Sequence, residues 1–352
     1  MDKLAPRLQQ LCHEQDAEGL QDLARELGYA EAGKTAANLA LLAEFFGDPE
    51  LVAALATAGL EAADPDASLN NLERLSGTIK ADELAPLVTD PDRRRQLLTV
   101  LGASQFLTGT LCRKAHFFQT LFQAGELDRP KTETQMIEEL RGLIPADTDF
   151  ETLQQLLRHY KWQEILRIGS RDLCGMAELL EVTGELSSLA AATLQRAFEV
   201  SSNLLQKEHG KPMVRPDEDD AEKEAEFTIL GMGKFGGREL NFSSDIDLIY
   251  FYSSEKGETT GIDGPLGKPV NRIPVHKYFI KLADMISKAI GQVTGDGFVF
   301  RVDLDLRPEG KSGEMAQPAM SAILYYESWG QSWERSALIK ARPVAGSIKL
   351  GE

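Results

Sequence analysis

Residues whose types and spacing could do chemistry concentrate in GMGKFGGRELNFSSDIDLIYFY, residues 231–252. Asp245 and Asp247 stand two apart. On a strand both carboxylates leave one face, their backbones about 7 Å apart, while Ile246 and Leu248 point to the other. Oxygen ligands of this kind suit one or two Mg2+ ions. Paired metals about 4 Å apart stabilise both oxygens of an in-line phosphoryl displacement. The same acids also suit a solvated strand edge, and an Asp-x-Asp pair alone does not decide. Gly236 and Gly237 precede a short turn, RELNF. Exposed N–H groups there suit phosphate oxygens, or the glycines simply make a tight turn. Lys234 and Arg238 flank it, as phosphate partners or as solvated cations. Ser243 and Ser244 are candidates for hydrogen bonds to phosphate or for capping the turn.

A second segment, RVDLDLRP at residues 301–308, adds weight. Read with period two, Arg301, Asp303, Asp305 and Arg307 share one face, and Val302, Leu304 and Leu306 the other. A third carboxylate beside Asp245 and Asp247 completes a metal cradle. Arginines next to it neutralise a transferred phosphate. The bland alternative is a salt-bridge ladder on an exposed sheet face. None of the five histidines falls in these motifs, which fits chemistry done by positioning and electrostatics.

The elements that must position these residues follow from periodicity. Residues 1–207 read as helix, with apolar positions three and four apart, as in Leu39, Leu42, Phe45 and Phe46. Gly47-Asp48-Pro49, Ala63-Asp64-Pro65 and Asp90-Pro91-Asp92 suit helix starts. Residues 208–226 are charged and proline-bearing and read as a linker or loop, acidic from Asp217 to Glu226. Residues 227–352 then switch to strands at 227–232, 245–252 and 297–308. A Gly/Pro-rich loop, 257–274, precedes an amphipathic helix with Phe279, Leu282, Ile286, Ile290 and Val293 as its stripe. The last forty residues return to helix. Trp329 and Trp333, at i and i+4, suit packing better than nucleotide stacking. The expected class is α+β: a large helical region, then a small α/β domain with C-terminal helices.

The chain has 352 residues, 55 acidic against 38 basic, and a net charge of −17. This excludes a broad electrostatic surface for nucleic acid or an anionic membrane, though not a small cationic pocket. Three separated cysteines form no CxxC pair and read as reduced thiols of a cytoplasmic protein. The N-terminus has no leader-like apolar core, and no stretch is long enough to span a membrane.

A glycine turn, Asp-x-Asp and a third strand Asp together resemble the DNA polymerase β-like nucleotidyltransferase superfamily. More closely, GMGKFGGRELNFSSDIDLIYFY, DGFVFRVDLDLRPEGKSGEM and YYESWGQSWERSALIKARPVAG resemble the glutamine synthetase adenylyltransferase/adenylyl-removing family. LLTVLGASQFLTGTL and EILRIGSRDLCGMAELLEVTGELSSLA are similar to it too. The resemblance covers most of residues 95–350; residues 1–94 share only its texture. That family carries two nucleotidyltransferase modules, and this chain resembles the N-terminal one, which removes AMP from a glutamine synthetase tyrosine by phosphorolysis and releases ADP. The chain then reads as an N-terminal fragment or a shortened relative. The resemblance implies Asp245, Asp247 and Asp303 as ligands of Mg2+, two ions being expected. It implies Gly236, Gly237 and Ser244 near phosphate, and Arg301, Arg307, Lys340 and Arg342 as positive charge around the adenylyl group or attacking phosphate. Glutamine synthetase, inorganic phosphate, ADP or ATP, and a PII-type signal protein are the implied partners. Alternatives are ATP-dependent adenylylation on the same scaffold and a catalytically weakened sensor. The sensor reading rests on Asp305, which replaces the usual Arg of RVDxRLRP and places an acid on the expected active-site face.

Overall fold

A computed structural model describes residues 3–114, 116–123, 125–215 and 221–352. Part of the acidic stretch expected as a linker, residues 216–220, lies outside them. The fold is α+β, and the chain divides into two compact units: Met1–Pro130 with Ile165–Leu179, and Lys131–Glu164 with Leu180–Glu352.

The first unit is helical. Aspartates before prolines start its helices as the sequence suggests. Asp48 accepts from the N–H groups of Glu50 and Leu51, Asp64 from Ala67, and Asp90 from Asp92 and Arg93. Each proline occupies the first helical turn, where its missing N–H is harmless. Leu39, Leu42, Leu55, Leu72 and Leu101 are buried. Phe45 and Phe46 are only half-buried and meet edge to face at 4.9 Å.

The second unit is built on strands β1 (Pro212–Val214), β2 (Lys223–Glu224), β3 (Phe227–Gly231), β4 (Ile246–Tyr252), β5 (Gly257–Thr259), β6 (Ile262–Asp263), β7 (Pro269–Val270), β8 (Val302–Asp303), β9 (Ala316–Pro318) and β10 (Arg342–Gly346). The main sheet runs β10-β3-β4-β8, with β9 also on β4. β3 is antiparallel to β4 and β10, whereas β8 and β9 are parallel to β4. β3 is buried throughout, so it reads as an apolar run. On one side Phe198, Phe227, Tyr252 and Phe279 stack, with centroids 4.8–5.8 Å apart. On the other, Leu230, Met232, Ile249 and Phe251 pack with Ala322. The helices Glu133–Leu143 and nearly all of Leu179–His209 belong to this unit, so the division does not fall at residue 207.

Several expectations are corrected. The segment 297–308 is strand only at Val302–Asp303. The final forty residues include β10, whose Arg342 pairs with Gly231. β1 and β2 pair within the stretch expected as a linker, and β5, β6 and β7 lie in the expected Gly/Pro loop. The helix Val275–Gly291 buries Phe279, Leu282, Ile286 and Ile290, but Val293 is outside it and exposed. Trp329 is 78% and Trp333 59% exposed; Trp329 caps one helix and Trp333 lies in the next. The turn between them breaks the i, i+4 face on which a packing role depended.

Candidate active site

Asp247 and Asp303 stand opposite each other in the parallel β4–β8 pair. Paired backbones lie about 4.8 Å apart, and partners present their side chains on one face. The Ile246 N–H donates to the Arg301 carbonyl at 2.9 Å, fixing this register. Asp245 is exposed, one residue before β4. The glycine turn follows β3 as the four-residue helix Gly233–Gly236. It is anchored by the Met232 N–H, which donates to the Asp247 carbonyl at 2.9 Å. Gly233 has φ +52, and a Cβ there would lie 2.9 Å from Asp247 Oδ2. Only glycine meets both conditions without strain.

Burial raises the Asp247 pKa above the ordinary carboxylate value, repulsion from Asp303 and Asp245 adds to it, and Lys234 opposes it. These carboxylates suit a hard divalent cation, because a positive charge would relieve that repulsion. Among the described residues, no group of three or more His, Cys, Asp or Glu side chains is placed so as to hold a metal ion.

The remaining candidates divide. The Gly236 and Gly237 N–H groups donate to the carbonyls of Met232 (2.9 Å) and Gly233 (3.1 Å). They are consumed within the turn, as in the tight-turn alternative. Gly236 has a packing reason instead: a Cβ would lie 1.9 Å from the Lys340 carbonyl. Ser244 donates to Asn241 Oδ1 at 2.9 Å and accepts from the Asn241 N–H at 3.3 Å, so it closes its own turn. Arg301 donates to the Ser243 carbonyl at 2.9 Å. Lys340 pairs with Glu239 at 2.7 Å.

Asp305 and Arg307 do not continue the strand face of Asp303. The Asp305 N–H donates to Asp303 Oδ1 at 2.7 Å, and the Arg307 N–H to the Leu304 carbonyl at 3.2 Å, so the chain turns there. Asp305 is exposed and 3.2 Å from Lys311. The Arg307 guanidinium donates to three carbonyls, of Gly313 (3.0 Å), Leu304 (2.8 Å) and Lys311 (3.2 Å). Its hydrogen bonds hold the loop, and none goes to the carboxylates.

Arg342 donates to the Gly236 carbonyl at 3.3 Å and lies 3.8 Å from Glu133. Burial lowers its pKa, Glu133 raises it, and neighbouring Arg238 lowers it further. Glu133, Ser188 and Arg158 escaped the sequence reading. Arg158 is fully buried and holds the carbonyl of Gly297 at 2.8 Å and that of Gln292, in the loop leading to β8. Ser188 lies within the family-like segment EILRIGSRDLCGMAELLEVTGELSSLA, as half of a polar pair, Ser187-Ser188, in an apolar helix; Glu133 and Arg158 lie outside every motif.

A glycine turn leading into an Asp-x-Asp strand, with another Asp strand parallel beside it, defines a nucleotidyltransferase-like domain. The profile of the glutamate-ammonia ligase adenylyltransferase family matches residues 94–352, and the chain belongs to that family. Similar proteins carry the name bifunctional glutamine synthetase adenylyltransferase/adenylyl-removing enzyme. That of Thioalkalivibrio sulfidiphilus is 38% identical over 256 residues, 72% of this chain and 25% of the relative. That of Pseudomonas syringae pv. tomato is 35% identical over 274 residues, 78% and 27%. That of Streptomyces coelicolor is 35% identical over 317 residues, 88% and 28%. The last match reaches into the first 94 residues, beyond the textural likeness expected there. The chain spans about a quarter of the length of these relatives. Among the described residues, no helix is long and apolar enough to cross a membrane.

Proposed function

We propose that this chain transfers an adenylyl group on glutamine synthetase, removing AMP from the adenylylated tyrosine with inorganic phosphate and releasing ADP. The observation that carries the reading is the in-register pair Asp247–Asp303 beside the Gly233 turn. The relatives' name supplies the protein substrate. Asp245, Asp247 and Asp303 would hold Mg2+, which when bound supplies the positive charge that offsets phosphoryl oxygens. The turn sets the backbone close behind Asp247, and Arg342 lies on its far side. Phosphate attacks the phosphorus of the tyrosyl–AMP ester in line, the bond to the tyrosine oxygen breaks, and that oxygen takes up a proton. No side-chain nucleophile is required. A PII-type signal protein as effector and a cytoplasmic setting belong to the same proposal. The ion pair of Asp305 with Lys311 at 3.2 Å speaks against the weakened-sensor alternative.

Adenylylated glutamine synthetase incubated with the chain, phosphate and Mg2+ tests this. ADP is expected, and Asp247→Asn should lower its rate on the order of 100-fold or more, as when a main electrostatic group of a transfer site is lost. Undiminished ADP from that variant sinks the mechanism. Label passing from ATP to glutamine synthetase with no ADP from phosphate would assign the chain the adenylylating direction instead.

A further inference from the structure

The glycine turn is held on its far side by a cluster of charged side chains. Arg342, at the start of β10, places its guanidinium carbon 5.9 Å from the Phe235 centroid and donates from Nε to the Gly236 carbonyl at 3.3 Å. Its Nη1 is 3.8 Å from Glu133 Oε2. Its Nη2 is buried and has no hydrogen-bond partner among the described residues. The same Glu133 oxygen lies 3.3 Å from Arg238 Nη1, and Arg238 also donates to Ser188 Oγ at 2.8 Å. Arg238 sits at φ +59, a left-handed conformation that non-glycine residues rarely adopt. Strain of this kind persists where surrounding contacts over-determine it. Two cations share one carboxylate, so the cluster keeps a positive surplus.

We infer that Glu133 is a positioning residue for anion binding: it holds the partly exposed side chains of Arg342 and Arg238 against the glycine turn, where their net positive charge faces a phosphate-type oxyanion. The inference rests on the proposed transfer in taking this turn as phosphate-facing. A guanidinium already fixed in place loses less freedom when it binds. Glu133 also repels an approaching anion by its own charge. The two effects oppose each other, and the inference requires the first to win.

Calorimetric titration of the full chain with ADP and, separately, inorganic phosphate tests this for wild type, Glu133→Gln and Glu133→Asp. Thermal unfolding is followed in parallel. The Gln variant should bind ADP about tenfold more weakly, with part of the loss recovered by Asp. In the ADP-release assay its KM for phosphate should rise while kcat stays within about twofold, the pattern of lost binding that is uniform between ground and transition states. Unchanged or tighter binding by the Gln variant overturns the inference. So does an equal fall of kcat and affinity with a lowered unfolding midpoint, which marks a structural role alone. If the Gln variant does not fold, Ser188→Ala, which removes the Arg238 contact and the Ser188 hydrogen bond to the Gly184 carbonyl, is held to the same criterion. Wild type that binds ADP but transfers no AMP refutes the proposed function and leaves Glu133 to be judged on binding. Wild type that binds neither probe overturns this inference.

Discussion

Lys161 carries a cost outside the candidate site. Its ammonium lies 3.4 Å from the Trp162 ring centroid and 5.8 Å from that of Phe298, in a buried position. Burial pushes its pKa down to about 8, against about 10.4 for a free lysine. Between these values the unfolded chain binds more protons than the folded one, so stability rises with pH across that window. Below pH 8 the folded state bears the whole cost of the buried charge. The aromatic faces return part of it. Lys161→Met should therefore stabilise the protein by about 1–3 kcal/mol at pH 7. That advantage should shrink as pH rises from 8 to 10.5. Urea unfolding of both proteins at pH 7 and at higher pH measures the gap. A gap that does not change with pH would show that Lys161 keeps its ordinary pKa.

At the scale of the element, the glycine turn gives two neighbouring residues different constraints. A Cβ on Gly236 meets backbone at 1.9 Å, the Lys340 carbonyl, whereas one on Gly237 meets side-chain atoms of Glu239 and Lys340 at 3.2–3.3 Å. Neither glycine has positive φ, so the difference is steric. Gly236→Ala should cost about 1–3 kcal/mol by overpacking, and Gly237→Ala less than about 1 kcal/mol. Equal losses in a denaturant titration would refute that contrast. The turn and the Asp-x-Asp strand were legible because their signals are local: glycines before a period-two run. The face of Asp303 was legible only as far as Leu304. Beyond it, Arg307 reaches three carbonyls up to six residues away, and no periodicity encodes such a loop. β10 was missed because RPVAG, with Pro343 and a register shift between Pro343 and Ala345, does not alternate like a strand. Sheet pairing with β3 overrode its weak local preference. Trp329 and Trp333 fit helical spacing, but the helix stops at Ser328.

For the whole molecule, the net charge of −17 takes a different form once the ion pairs are placed. Three of the cations read as phosphate-site candidates are ion-paired: Lys340 with Glu239, and Arg342 and Arg238 with the one carboxylate of Glu133. The excess acid elsewhere repels itself over the surface. Most of the ion pairs among the described residues are partly or fully exposed, as with Lys211–Glu224 and Arg272–Glu258, and exposed pairs contribute little each. Added salt weakens both terms. Raising ionic strength from about 0.01 M to about 0.15 M shortens the Debye length from about 30 Å to about 8 Å. At the longer length, repulsion acts between acids in different helices; at the shorter, mainly between neighbours. Ion-paired oxygens at 2.7–3.3 Å are screened less than acids spread over the surface. The repulsive term should therefore fall more than the attractive one, and sodium chloride should raise the thermal unfolding midpoint by about 2–5 °C over that range. Sodium sulfate would confound the experiment, because it also strengthens apolar burial. A midpoint that falls as sodium chloride is added would mean that the ion pairs outweigh the excess acid in holding the fold.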